Sequence, residues 1–138
     1  MNLNTFRTEI TCPSAHPIDL KDSILTTGSC FADLFGLWLY NNKFDVLVNP
    51  LGTNYNPISI HKSLMEALSL DLDERLFVNH QGIWHHFDYH SQWSSDKREL
   101  LKGSIQKIQK EVNQFLQTSN VLIITYGTAW VYRYDKHD

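Results

Sequence analysis

Ser29 lies in the run Thr26-Thr27-Gly28-Ser29-Cys30-Phe31-Ala32, where a short apolar stretch stops and a helix-like pattern begins. Two kinds of chemistry fit a serine at such a junction. Its hydroxyl can cap the helix by accepting a bond from a first-turn N–H. It can instead attack a carbonyl, with the unpaired N–H groups and the helix dipole stabilising the oxyanion that forms. The second role needs a histidine base, because an unassisted serine is a weak nucleophile. Spacing alone leaves both open. Cys30 poses a similar choice between a reactive thiolate at a helix start and a small buried apolar side chain, and the second is expected.

His80, His85, His86 and His90 raise the question of a metal. On an extended segment His86, Asp88 and His90 would share one face and could offer three ligands. Trp84, Phe87, Tyr89 and Trp93 interleave them, and no His-Glu-x-x-His pattern occurs, so no metal is expected. Hairpin surface, polar core positions or the wall of a pocket remain for these residues. Trp130, Tyr132 and Tyr134 could line a sugar or acyl site, or simply fill a core or an edge. No Gly-x-Gly-x-x-Gly or Walker pattern follows a strand, and no cofactor is expected.

The elements that must position these residues are legible as periodicities. Ile24–Thr27 reads as a buried strand. Phe31, Leu34, Phe35 and Trp38 follow at i, i+3, i+4 and i+7, the stripe of a helix running to about Asn42. Leu37 and Leu39 make its other side apolar, so this helix is expected to be well buried. Phe44–Val48 reads as a second strand. Asn56-Pro57 suits the start of a helix whose apolar stripe is Ile60, Leu64, Ala67 and Leu68. Residues 75–87 read as a hairpin turning at Asn79-His80-Gln81-Gly82.

From about Asp96 a long amphipathic helix follows, with Leu101, Ile105, Ile108, Val112 and Phe115 inward and Ser94, Ser95 or Asp96 as its cap. Asn120–Thr125 is a continuous apolar run, the pattern of a parallel strand covered on both faces. The order predicts an open α/β sheet. Only three long parallel-type strands are present, so the sheet is expected to be incomplete. Residues 1–138 are then the N-terminal part of a single domain.

A length of 138 residues fits one domain, and 42% hydrophobic residues suffice for a core. The net charge of -3, without a block of clustered Lys/Arg, disfavours nucleic acid or an anionic membrane as partner. The first 20 residues lack a charged and apolar leader pattern, and no run approaches the roughly 20 apolar residues of a membrane span. With only Cys12 and Cys30, reduced thiols and a cytoplasmic location are the simpler expectation.

The run TTGSCFA resembles the signature of the GSCFA family, which is similar to the SGNH (GDSL-like) hydrolases. NPLGTNYNP, FDYHSQWSS and TYGTAWVY resemble further blocks of that family in order and spacing. Together these blocks span residues 24–132. The resemblance implies a flavodoxin-like three-layer α/β/α sandwich of SGNH-hydrolase type. It also implies serine esterase or acyl-transfer chemistry on an O-acyl group of a small molecule or saccharide.

Carried over by residue, Ser29 is the nucleophile, and its own N–H and that of Gly52 bind the oxyanion. Gly127 and Thr128 fall in the third block, where Ala129 replaces the usual asparagine donor and the Thr128 hydroxyl or a backbone N–H must stand in. Asp88, His90 and Ser91 belong to a recurrent block and are expected to line the pocket, with His90 orienting substrate. SGNH enzymes also carry an Asp-x-x-His segment near the end of the domain. Asp135 and His137 are too close together to match it. The 138-residue chain by itself is therefore expected to be inactive. The competing class is a non-catalytic binding or scaffold domain that kept the turn without the machinery.

Overall fold

Three parallel strands end at a common edge, and that edge carries Ser29. The computed structural model describes residues 17–131 and 133. Strand β1 (Ser23–Gly28) lies at the centre, flanked by β2 (Asp45–Val48) and β5 (Val121–Thr125), in the order β2-β1-β5. Leu25 pairs with Leu47, Thr26 with Val48, and Gly28 with Thr125. Side chains alternate across the sheet, so successive residues of β1 serve different layers.

Helix α1 (Cys30–Asn41) covers the face that carries Thr26 and Val48. Helices α2 (Pro57–Ser69) and α3 (Arg98–Thr118) cover the other, where Leu25, Leu47 and Ile124 join Ile60, Leu64, Ala67, Leu101, Ile105 and Val112 in the main core. A fully buried leucine, isoleucine or valine of this set contributes roughly 1.5–3 kcal/mol. The result is a mixed α/β fold, a parallel sheet between helices with a small hairpin attached.

Helix α1 departs from expectation. It buries Ala32, Gly36 and Leu39. Phe31, Leu34 and Trp38, expected inside, are 57%, 68% and 55% exposed. Close approach explains this: a Cβ at Gly36 would stand 2.7 Å from both Thr26 Oγ1 and Val48 Cγ1. The helix lies flat on the sheet through its small residues, which rotates the large stripe outward. Those rings stack on one another, Phe31 on Phe35 at 5.6 Å and Phe35 on Trp38 at 5.8 Å.

Helix α2 starts as expected, with Asn56 Oδ1 accepting from Ser59 N–H at 2.8 Å and Pro57 first in the helix. Its stripe is narrower than expected, because Leu68 is 51% exposed. Helix α3 begins at Arg98, and its N-cap residue Lys97 makes no side-chain cap. Ser95 Oγ instead accepts from Lys97 N–H at 3.2 Å.

Among the described residues β5 lies at one edge of the sheet, and Leu122 is exposed where cover on both faces was expected. Strands β3 (Phe77–His80) and β4 (Ile83–His86) form the hairpin. Gln81 and Gly82 both take positive φ, as a tight two-residue connection with native twist requires. Among the described residues no helix is long and apolar enough to cross a membrane. Cys12, Tyr132, Tyr134, Asp135 and His137 lie outside the described residues.

Candidate functional site

The loop after β1 enters α1 on one face of the sheet, and the loop after β2 leads to α2 on the other. Neighbouring strands whose connections diverge in this way open a crevice at their carboxyl ends. Ser29 and the Leu51–Asn54 loop follow these ends of β1 and β2.

Ser29 occupies the N-cap position of α1, yet its side chain makes no capping bond. Its Oγ lies 2.9 Å from Thr125 Oγ1, and its N–H is shared between Thr125 O and Thr125 Oγ1, each at 3.0 Å. The residue is 6% exposed. No histidine among the described residues hydrogen-bonds to its hydroxyl. Ser29 thus points along the sheet edge towards β5 and is not spent on capping.

The turn is possible because residue 28 is glycine. Its φ is +124°, and a Cβ there would fall 2.1 Å from the Thr125 carbonyl oxygen. Asn49 clamps the same turn from β2: Gly28 N–H donates to Asn49 Oδ1 at 3.0 Å, and Asn49 Nδ2 donates to Asp33 Oδ1 at 3.0 Å. Thr53 Oγ1 donates to the other Asp33 oxygen at 2.8 Å, and Asn54 N–H donates to Gly28 O at 2.8 Å. Asn49 is 3% exposed and has a positive φ, a conformation asparagine tolerates better than most residues. Asp33, Asn49, Thr53 and Thr125 thus build the site, although only the glycine and serine stood out in the sequence. Asn49-Pro50 was the available signal, and it reads equally well as an ordinary strand end.

The remaining expected residues divide into two groups. Gly52 is buried beside the turn with φ +90°, and its N–H donates to Asn49 O at 3.0 Å. An added Cβ on it would meet His90 Cβ at 2.6 Å, so the Gly52 loop and the His90 segment are packed together. His90 and Ser91 are exposed, and His90 Nδ1 accepts from Gln92 N–H at 3.2 Å. Gly127 and Thr128 N–H both donate to Tyr55 O, at 2.8 and 3.1 Å, while Thr128 Oγ1 accepts from Trp130 N–H at 3.1 Å. Tyr55 therefore bridges the two loops. The adjacent Cys30 sulfur, first electrostatically and then through its hydrogen bond to the phenol, holds Tyr55 above its ordinary pKa. Cys30 is exposed, a correction to the buried position expected of it.

Asp88 forms an ion pair with Lys62 of α2 at 2.7 Å. His86 is buried. Its Nε2 meets Asp73 O at 3.0 Å, and its Nδ1 accepts from Asp88 N–H at 3.3 Å, which fixes the Nε2–H tautomer. Burial lowers its pKa, so it is neutral. β4 ends at His86, so His86, Asp88 and His90 do not share an extended face. Among the described residues no group of three or more His, Cys, Asp or Glu side chains converges as metal ligands.

A serine at the C-terminal edge of a parallel sheet, held in a hydroxyl pair beside the turn clamped by Asn49, agrees with the blocks seen in the sequence. No curated protein and no solved structure matches the chain. The GSCFA family model matches residues 23–138, and the chain belongs to the GSCFA family.

Proposed function

We propose that this chain is the serine-bearing part of an SGNH-like esterase or acyl-transfer enzyme acting on an O-acyl group of a small molecule or saccharide. The observation that carries the proposal is the Ser29 hydroxyl. It stands at a helix N-cap without capping, paired with Thr125 at 2.9 Å at the C-terminal end of the parallel sheet. In the reaction Ser29 Oγ attacks the ester carbonyl as a histidine from outside the described residues takes its proton. The acyl group passes to the serine oxygen and the alcohol leaves with a proton.

The Ser29 and Gly52 amides are already hydrogen-bonded, to Thr125 and Asn49. Using them for an oxyanion requires exchange of those bonds. The first-turn amides of α1, at Cys30 and Phe31, have no intrahelical acceptor and need no such exchange. At 6% exposure, Ser29 also needs its neighbours to shift before a carbonyl reaches it.

The test uses a protein carrying this chain together with an Asp-x-x-His segment. A fluorophosphonate probe labels it at Ser29, and Ser29→Ala abolishes the label. The 138-residue chain alone is expected not to hydrolyse p-nitrophenyl acetate. A folded sample of the longer protein that resists the probe would overturn the proposal.

A further inference from the structure

A second polar cluster lies behind the Gly52 loop, where α2, α3 and the segment after β4 meet. The side chains of Glu66 and Asp88 are only 12% and 16% exposed and lie within hydrogen-bonding reach of each other. Glu66 Oε2 and Asp88 Oδ2 are both shut off from solvent, and Glu66 Oε2 has no hydrogen-bond partner. Asp88 Oδ2 has the Lys62 ammonium at 2.7 Å, and Lys62 lies 4.0 Å from Glu66 Oε1. Two buried carboxylates with one partly exposed cation leave an uncompensated negative charge. A single proton between them removes both the charge and the missing bond.

We propose that Glu66 and Asp88 share one proton, and that its release loosens the Phe87–Trp93 segment from the Gly52 loop. The surrounding groups fit a shared proton. Gln109 of α3 donates to Asp71 O at 2.7 Å and to Tyr89 OH at 2.8 Å, which leaves the Tyr89 hydroxyl hydrogen to donate to Glu66. His86 of β4 accepts the Asp88 N–H and is neutral, so it adds no balancing charge. Tyr89, mostly buried and beside Glu66, is pushed well above its ordinary pKa and also stays neutral. Lys62 is then the only cation facing the pair among the described residues. Burial first, and the Asp88 charge second, push the Glu66 carboxyl up to about 7.

The coupling to the Gly52 loop is steric. Asp88 and Tyr89 lead directly into His90, whose Cβ lies where a side chain on Gly52 would begin. Ionising Glu66 sets two like charges against each other across the α2 contact, and the segment that gives way is the one packed on Gly52.

The test is a carbon and amide NMR titration of the full chain from pH 5 to 9, which is independent of any reaction at Ser29. The Glu66 side-chain carboxyl carbon is expected to titrate near pH 7, with the Gly52 amide following the same midpoint. In Glu66→Gln the Gly52 midpoint disappears, and in Asp88→Asn the Glu66 midpoint falls towards the ordinary carboxylate range. A Glu66 carbon that titrates in that ordinary range in the wild type overturns the proposal. So does a Gly52 midpoint that survives Glu66→Gln, which would assign it to a nearby histidine.

Discussion

Exchanging the amide and the acid that clamp the Gly28–Ser29 turn tests how the site is built. In Asn49→Asp the new carboxylate keeps the acceptor for Gly28 N–H but stands about 3 Å from Asp33, where Asn49 Nδ2 now donates. Two charges at that distance repel by roughly 5 kcal/mol at an effective dielectric of about 20. The pair can escape by taking up a proton. At about 1.4 kcal/mol per pH unit, that caps the loss near 4 kcal/mol at pH 7 and near 1.5 kcal/mol at pH 5.

Asp33→Asn alone removes a charge-assisted bond and is expected to cost about 1–2 kcal/mol. The double variant Asp33→Asn/Asn49→Asp restores an amide–carboxylate pair in the opposite sense, and an amide oxygen at position 33 can still accept from Thr53. It should recover at least about 2 kcal/mol relative to Asn49→Asp at pH 7. Urea unfolding followed by tryptophan fluorescence at both pH values reads these differences as midpoint shifts of about 1 M or more. An Asn49→Asp protein as stable as wild type at pH 7, or a double variant no more stable than Asn49→Asp, would refute the clamp.

Two further outcomes follow from the structure. The native state holds the Glu66 proton up to about pH 7, against an ordinary value of 4.5, so it binds more protons than the unfolded chain between those values. Stability from this group is therefore highest below pH 4.5, falls through the window and levels off above 7, by about 2–3 kcal/mol in all after allowance for screening. Glu66→Gln should abolish that slope and exceed wild type in stability at pH 8; an unchanged difference between pH 5 and 8 would count against it. Gly28→Ala places a methyl group 2.1 Å from the Thr125 carbonyl oxygen in a left-handed conformation. It should cost about 3 kcal/mol or more and separate β1 from β5 at Ser29, and a near-neutral unfolding curve would show that the turn yields elsewhere.

The strands and the starts of the helices were visible in the sequence because their causes are local. β1, β2 and β5 are short apolar β-branched runs, Asn56-Pro57 announces α2, and Gln81-Gly82 closes the hairpin. Which side of α1 is buried was not local. The apolar stripe Phe31-Leu34-Trp38 satisfies the periodicity, but the sheet selected Ala32, Gly36 and Leu39, because only small residues let the helix reach Thr26 and Val48. The exposure of β5 depends likewise on which strands flank it, and no run of apolar residues encodes that.

At the site, residue types alone determined that a serine follows a glycine at a strand-to-helix junction and that Gly52 and Gly127 stand in loops at the same edge. The tertiary structure decided what each does. It turned the Ser29 hydroxyl to Thr125 instead of the helix cap, engaged the Gly52 amide with Asn49, and paired Asp88 with Lys62. The Ser29–Thr125 and Asp88–Lys62 contacts join residues 96 and 26 positions apart along the chain. Hydrogen-bond partners across such separations are set by strand order and helix placement, which no local pattern records.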